Sequence, residues 1–214
     1  MQIVIAQLSI LLFDEAIFLT RKQIINSFFM KIISIVGSTR NGNTLNMVNC
    51  ASNSIESEVD VEIIHLKDLN FSFCNGCLTC DENGECSLED DMGTVIEKVK
   101  NADGFIIGTP TRWGLLSGEL KTFFDRLNPL AATEELAGKK AIIFAVGQTE
   151  ENSDDGESIQ LAYESVKTFC ENADIEVVDK VLAYECIEKE DVTNNNSILK
   201  ACIIAAQSLI NSIK

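Results

Sequence analysis

Lys31-Ile32-Ile33-Ser34-Ile35-Val36-Gly37-Ser38-Thr39-Arg40-Asn41-Gly42-Asn43-Thr44 is the stretch from which the rest of the chain can be read. Its first six residues are mostly apolar and β-branched, which reads as a strand, and Gly37 breaks that run into hydroxyls, amides and one arginine. From Thr44 to Ser57 apolar residues return at helical spacing. A strand, a polar turn and a helix in that order put the unpaired N–H groups of a helix start at the end of a strand, where they can bind an anion. The turn lacks the Gly-x-Gly-x-x-Gly dinucleotide pattern, and Asn43 stands where a Walker A loop needs lysine. Without that lysine the turn suits one terminal phosphate, as on a mononucleotide. The competing expectation is an ordinary turn capped by Asn43 or Thr44.

Outward from this segment the pattern repeats. Strands are predicted at Lys31 to Val36, Val59 to Leu66, Gly104 to Thr109, Lys140 to Val146 and Glu176 to Ala183. Helices are predicted at Thr44 to Ser57, Met92 to Ala102, Leu116 to Leu127, Ser158 to Asn172 and Ser197 to Ile213. Strands alternating with crossover helices make an α/β fold with a parallel sheet. Five such strands most simply take the doubly wound, flavodoxin-like order 2-1-3-4-5, with helices on both faces. A ligand then sits outside the carboxyl ends of the strands, at the loops Gly37 to Thr44, Pro110 to Ser117 and Gly147 to Glu157.

At 214 residues and 46% hydrophobic content, the chain has the mass for one domain. Seventeen basic against thirty-three acidic residues give a net charge of −16, which argues against nucleic acid and anionic membranes as partners. Met1 to Phe29 is apolar but interrupted by Asp14 and Glu15, and its basic residues, Arg21 and Lys22, follow the first apolar run. It matches neither a membrane span nor a signal peptide. It is set aside as an N-terminal extension, an upstream start or an added helix, and 30–214 is taken as the domain.

Four of the eight cysteines, Cys74, Cys77, Cys80 and Cys86, fall within thirteen residues. Clustered thiols without a secretion signal point to a reducing cytoplasm and to metal or redox chemistry before disulfides. The spacing Cys-x2-Cys-x2-Cys-x5-Cys lets three thiolates take corners of a 4Fe-4S cubane and the fourth close from just beyond. Gly76 and Gly84 permit the tight backbone this needs. Zinc, and free or disulfide-forming thiols, remain as alternatives. Cys50, Cys170, Cys186 and Cys202 read as small buried hydrophobes, and His65 as packing or surface.

Three motifs in order now carry a family resemblance: Gly37 to Thr44, the cysteine run ending in Glu89-Asp90-Asp91-Met92, and Ala102 to Pro110 followed by Leu120-Lys121 and Phe124-Asp125-Arg126. Together they resemble the iron-sulfur flavoprotein branch of the NADPH-dependent FMN reductase superfamily. The resemblance implies FMN on a flavodoxin-like fold, with Ser38, Thr39, Arg40, Asn43 and Thr44 around its phosphate. It implies that Pro110, Thr111, Arg112, Trp113 and Gly114 line the isoalloxazine ring, and that Gly147, Gln148 and Thr149 complete the site.

Many relatives carry tyrosine at the position of Arg112, and an arginine there can stack on the ring, stabilise negative charge, or simply pair with a surface carboxylate. The third loop is longer and more acidic than in relatives. The expected activity is a flavin-dependent oxidoreductase passing electrons between a reduced carrier and a small acceptor, with ferredoxin or another small redox carrier, or NAD(P)H, as donor. A homo-oligomer, dimer or tetramer, is expected. The alternatives are a cluster-free NAD(P)H-dependent FMN or quinone reductase and a zinc- or thiol-based redox sensor that is not an enzyme.

Overall fold

β1 (Lys31–Val36) is buried at five of its six positions, as its mostly apolar run predicts for a strand covered on both faces. The computed structural model describes residues 30–153 and 157–214. The expected extension, Met1 to Phe29, lies outside the described residues, as do Asp154, Asp155 and Gly156 of the third loop.

After β1 come α1 (Asn43–Ile55), β2 (Asp60–His65), a 3-10 turn (Leu66–Asp68), α2 (Thr79–Asn83) and α3 (Met92–Lys100). β3 (Gly104–Pro110), α4 (Gly118–Asp125), α5 (Asn128–Ala132), β4 (Lys140–Val146), α6 (Glu157–Asn172), β5 (Glu176–Ala183) and α7 (Asn196–Ile213) complete the order. All strands are parallel, in the order β2-β1-β3-β4-β5, the doubly wound arrangement the alternation predicts.

The period of two along each strand divides the core into two layers. Ile33, Ile35, Phe105, Ile107 and Ile143 face α3, α4 and α6, packing on Val95, Val99, Phe123, Phe124, Ile159 and Val166. Each such side chain contributes roughly 1.5–3 kcal/mol by leaving water. The alternate residues face α1 and α7, and there Ser34 and Ser52 satisfy each other's buried hydroxyls at 2.8 Å. Gly108 on this side lets α1 lie close to β3, because a Cβ there would stand 2.6 Å from Val48 Cγ2.

The differences from expectation are local. The helix predicted from Leu116 starts at Gly118, because Ser117 is extended and its hydroxyl accepts the Leu120 N–H, a cap. It stops at Asp125, and Pro129 opens the separate short helix α5. The cysteine segment contains α2, one short turn flanked by Leu78 and Gly84 in the left-handed conformation.

Candidate functional site

At the carboxyl ends of β1, β3, β4 and β5 four loops enclose a cavity of about 640 Å³. A volume of this size holds a small-molecule cofactor. The first wall is the turn after β1. Its N-cap is Gly42, with no side-chain cap, so the expectation that Asn43 or Thr44 caps the helix is overturned and the first N–H groups of α1 stay available to an anion. The Ser38 hydroxyl accepts from Arg40 N–H at 3.2 Å, which folds the turn on itself.

Contacts that sequence reasoning passed over hold this turn and the helix start behind it. His65 Nε2 lies 2.5 Å from the Ser38 carbonyl, and since a carbonyl can only accept, Nε2 carries the proton. His65 pairs in register with Val36, so it reaches the turn from the end of β2. Asn43 spends its side chain on the loop after β5, donating to the Glu188 carbonyl at 2.6 Å and accepting Val192 N–H at 3.1 Å. Asn46 donates to the Lys189 carbonyl at 2.9 Å.

That strap brings Cys186, Ile187 and Lys189 into the cavity wall, none of which was expected there. The Cys186 thiol is pushed up to about 11 by burial first and then by neighbouring carboxylates, so it stays protonated beside the cavity.

The second wall is a two-residue hairpin tip. Arg112 and Leu115 exchange both backbone hydrogen bonds, at 2.9 and 3.0 Å, and Trp113 and Gly114 between them have φ of +55° and +73°. The Trp113 side chain is fully exposed. The third wall is Gly147 to Thr149. Thr111 Oγ1 donates to the Ser158 carbonyl at 2.9 Å, and the Thr149 and Ser158 hydroxyls lie 3.3 Å apart, tying the second and third loops to α6.

Of the expected flavin residues, Ser38, Arg40, Asn43, Thr44, Pro110, Thr111, Arg112, Trp113, Gly147, Gln148 and Thr149 line the cavity. Thr39 and Gly114 stand beside it without lining it. Thr39 is exposed, and Gly114 closes the hairpin with its Cα side towards Leu161.

The electrostatics of the lining single it out. Arg40, Arg112 and Lys189 line the cavity and, among the described residues, no carboxylate does, although the chain as a whole carries −16. Cations, free helix amides and the apolar surfaces of Trp113, Val146 and Ile187 fit an anionic, flat, partly apolar ligand. The residues present therefore fit FMN.

The four clustered cysteines surround a second, narrow cavity together with Arg126. Left-handed Gly76, Leu78 and Gly84 curl the backbone around it. Cys77 Sγ lies 3.2 Å from the Ser87 hydroxyl, and that hydrogen bond, with help from Thr79, lowers the thiol to about 7. Cys80 is raised, first by burial and then by Asp81. All eight cysteines are free thiols. Among the described residues no three His, Cys, Asp or Glu side chains stand close enough together to hold one metal ion, so the four sulfurs ring a space rather than converge on a point. An all-sulfur donor set around a cavity fits an iron-sulfur cluster by donor chemistry.

Sheet order, switch-point cavity and cation-lined anion cradle define a mononucleotide-binding domain of flavodoxin type. Residues 30–179 match the NADPH-dependent FMN reductase family, and the chain belongs to that family. It is similar to an iron-sulfur flavoprotein of Methanocaldococcus jannaschii, 41% identical over 120 residues, which are 55% of this chain and 62% of that one. It is also similar to an iron-sulfur flavoprotein of Archaeoglobus fulgidus, 40% identical over 98 residues, 45% and 48% of the two chains. The match thus spans about half to three fifths of these relatives' length. A solved flavodoxin from the domain Archaea shares the fold, with a TM-score of 0.56 and 19% identity over 86% of this chain and 99% of that one.

Proposed function

We propose that the chain is an FMN-dependent oxidoreductase that passes electrons between a reduced carrier and a small acceptor, with a 4Fe-4S cluster on Cys74, Cys77, Cys80 and Cys86. The observation that carries the flavin half is the cavity wall of Arg40, Arg112 and Lys189 at an uncapped helix start, in a chain of net charge −16. Convergence of four thiols on one cavity, and the names of the relatives, support the cluster half.

FMN bound here supplies two-electron chemistry and release of single electrons. The chain's own part is to bind and orient it. The α1 amides, Ser38, Arg40 and Lys189 hold the phosphate; Gly147 to Thr149 and the Pro110 to Trp113 strand end flank the ring. Arg112, exposed at the rim, meets negative charge on the ring or on an incoming donor. Ferredoxin, another small redox carrier or NAD(P)H serves as donor.

Exposed Phe73, Leu78, Trp113 and Leu115 stand on the cysteine segment and the flavin hairpin, which suits a homo-oligomer that covers them. A reducing cytoplasm suits eight free thiols. Among the described residues no helix is long and apolar enough to cross a membrane.

Anaerobic purification with a visible spectrum and assays for flavin, iron and sulfide tests the proposal. FMN with about four irons and four sulfides per chain is expected. Flavin without iron leaves a cluster-free FMN or quinone reductase, and zinc or empty thiols without flavin refutes the enzyme altogether.

A further inference from the structure

Arg126 is the C-cap residue of α4 through its backbone N–H, and its side chain is wholly buried yet lies outside the flavin cavity. Its guanidinium grips Asp90 with two parallel bonds, Nη1 to Oδ2 at 2.7 Å and Nη2 to Oδ1 at 2.9 Å. Nη1 also donates to the Ser72 carbonyl at 2.8 Å, and Nη2 to Cys86 Sγ at 3.5 Å. Asp90 in turn accepts the backbone N–H groups of Ser72 and Met92, both at 3.1 Å. One ion pair therefore fastens both ends of the cysteine segment, at Ser72 and at Asp90 to Met92.

Arg126 Nε is buried and has no partner among the described residues. Apolar residues can often replace such pairs without loss of stability, so the ion pair by itself does not account for a guanidinium buried at that expense. The contacts that an apolar replacement of the pair cannot supply are the bonds to the Ser72 carbonyl and to Cys86 Sγ.

We infer that Arg126 is the positioning residue of the cysteine segment: with Asp90 it fixes the segment's ends, and its Nη2–H bond to Cys86 Sγ favours the reduced state of the group those cysteines hold. Hydrogen bonds and positive charge near cluster sulfurs set reduction potentials, because the added electron is stabilised by both. This inference rests on the proposed cluster for its second half and on geometry alone for its first.

The full chain is prepared anaerobically as wild type, as Arg126→Lys and as the double replacement Arg126→Met with Asp90→Leu. The double variant leaves no uncompensated charge if the single one fails to fold. FMN content is the control, because the flavin cavity does not include these residues.

Two readouts decide. In loaded Arg126→Lys protein, which keeps the charge and loses the Nη2–H bond, an EPR-monitored redox titration is expected to give a cluster midpoint lowered by about 59 mV, a tenfold change in the ratio for one electron. In iron-free protein, amide exchange over residues 70–91 is expected to speed up at least tenfold in either variant. Unchanged exchange overturns the fastening role, and an unchanged midpoint with intact iron content overturns the tuning role. Wild type without iron refutes the cluster reading and the tuning role that depends on it, and leaves the exchange measurement to decide the fastening role.

Discussion

Gly147 has a conformation open to any residue, so its replacement by alanine tests the packing of the flavin site and nothing else. An added Cβ would lie 2.5 Å from Thr111 Cγ2 and 2.7 and 2.9 Å from Ile159 Cγ1 and Cδ1. Neither neighbour can swing away cheaply. Thr111 is held by its bond to the Ser158 carbonyl, and Ile159 is fully buried in the core. Overpacking of this kind costs about 1–3 kcal/mol, which for a domain of this size lowers the melting temperature by roughly 2–12 °C. The strain pushes apart two of the loops that form the cavity, so FMN affinity falls as well, by about tenfold for each 1.4 kcal/mol borne by the site. Thermal unfolding of the flavin-free protein and fluorescence titration with FMN measure the two effects separately. Gly93→Ala is the control. Nothing lies within 4 Å of its added Cβ on α3, and removing a helical glycine stabilises by about 0.5–1 kcal/mol. A Gly147→Ala protein that melts and binds FMN like the wild type refutes the description of how the second and third loops pack.

Lys189→Ala and Arg40→Ala are each expected to weaken FMN about tenfold while leaving riboflavin, which lacks the phosphate, unchanged; equal losses for both ligands refute the assignment of these cations to the phosphate. Arg126 holds the Asp90 carboxyl below its ordinary range, so the pair's stabilisation is present above the unfolded carboxylate pKa of about 3.9 and is lost as pH falls through the lower folded value. Asp90→Asn should therefore destabilise at neutral pH and show a shallower loss as pH falls below the unfolded carboxylate value of about 3.9, read by chemical denaturation at each pH. With its thiol near 7, Cys77 should outpace the other cysteines in alkylation of iron-free protein at neutral pH, whereas burial pushes Cys170 and Cys202 up to about 12 and keeps them inert; peptide mapping that shows uniform labelling contradicts both environments.

The fold was legible because its central strands, β1, β3 and β4, are short, largely apolar runs rich in branched residues and bounded by Gly37, Pro110 and Gly147, which reads as a sheet covered on both sides. The phosphate turn was legible for a local reason, the change from branched apolar residues to hydroxyls at Gly37. What escaped was non-local. Lys189 reaches the cavity because Asn43 and Asn46, more than 140 residues earlier, hold the carbonyls of Glu188 and Lys189. His65 looked idle because its partner, the Ser38 carbonyl, comes to it only through the parallel register of β2 on β1. Arg126 stood inside a recognisable motif, yet its burial and its four acceptor contacts come from a segment some forty residues away in sequence.

The contrast between the cavity's three cations and the surrounding −16 has a kinetic side. A phosphate-bearing ligand approaching from afar meets a repulsive field, and it feels the attraction of Arg40, Arg112 and Lys189 only within about a Debye length, ~8 Å at 0.15 M ionic strength. Moderate salt should thus hasten entry by flattening the outer barrier, while it loosens the ligand already seated. The same halo of negative charge acts as a filter, slowing every anion at the surface and holding only those that match the wall within.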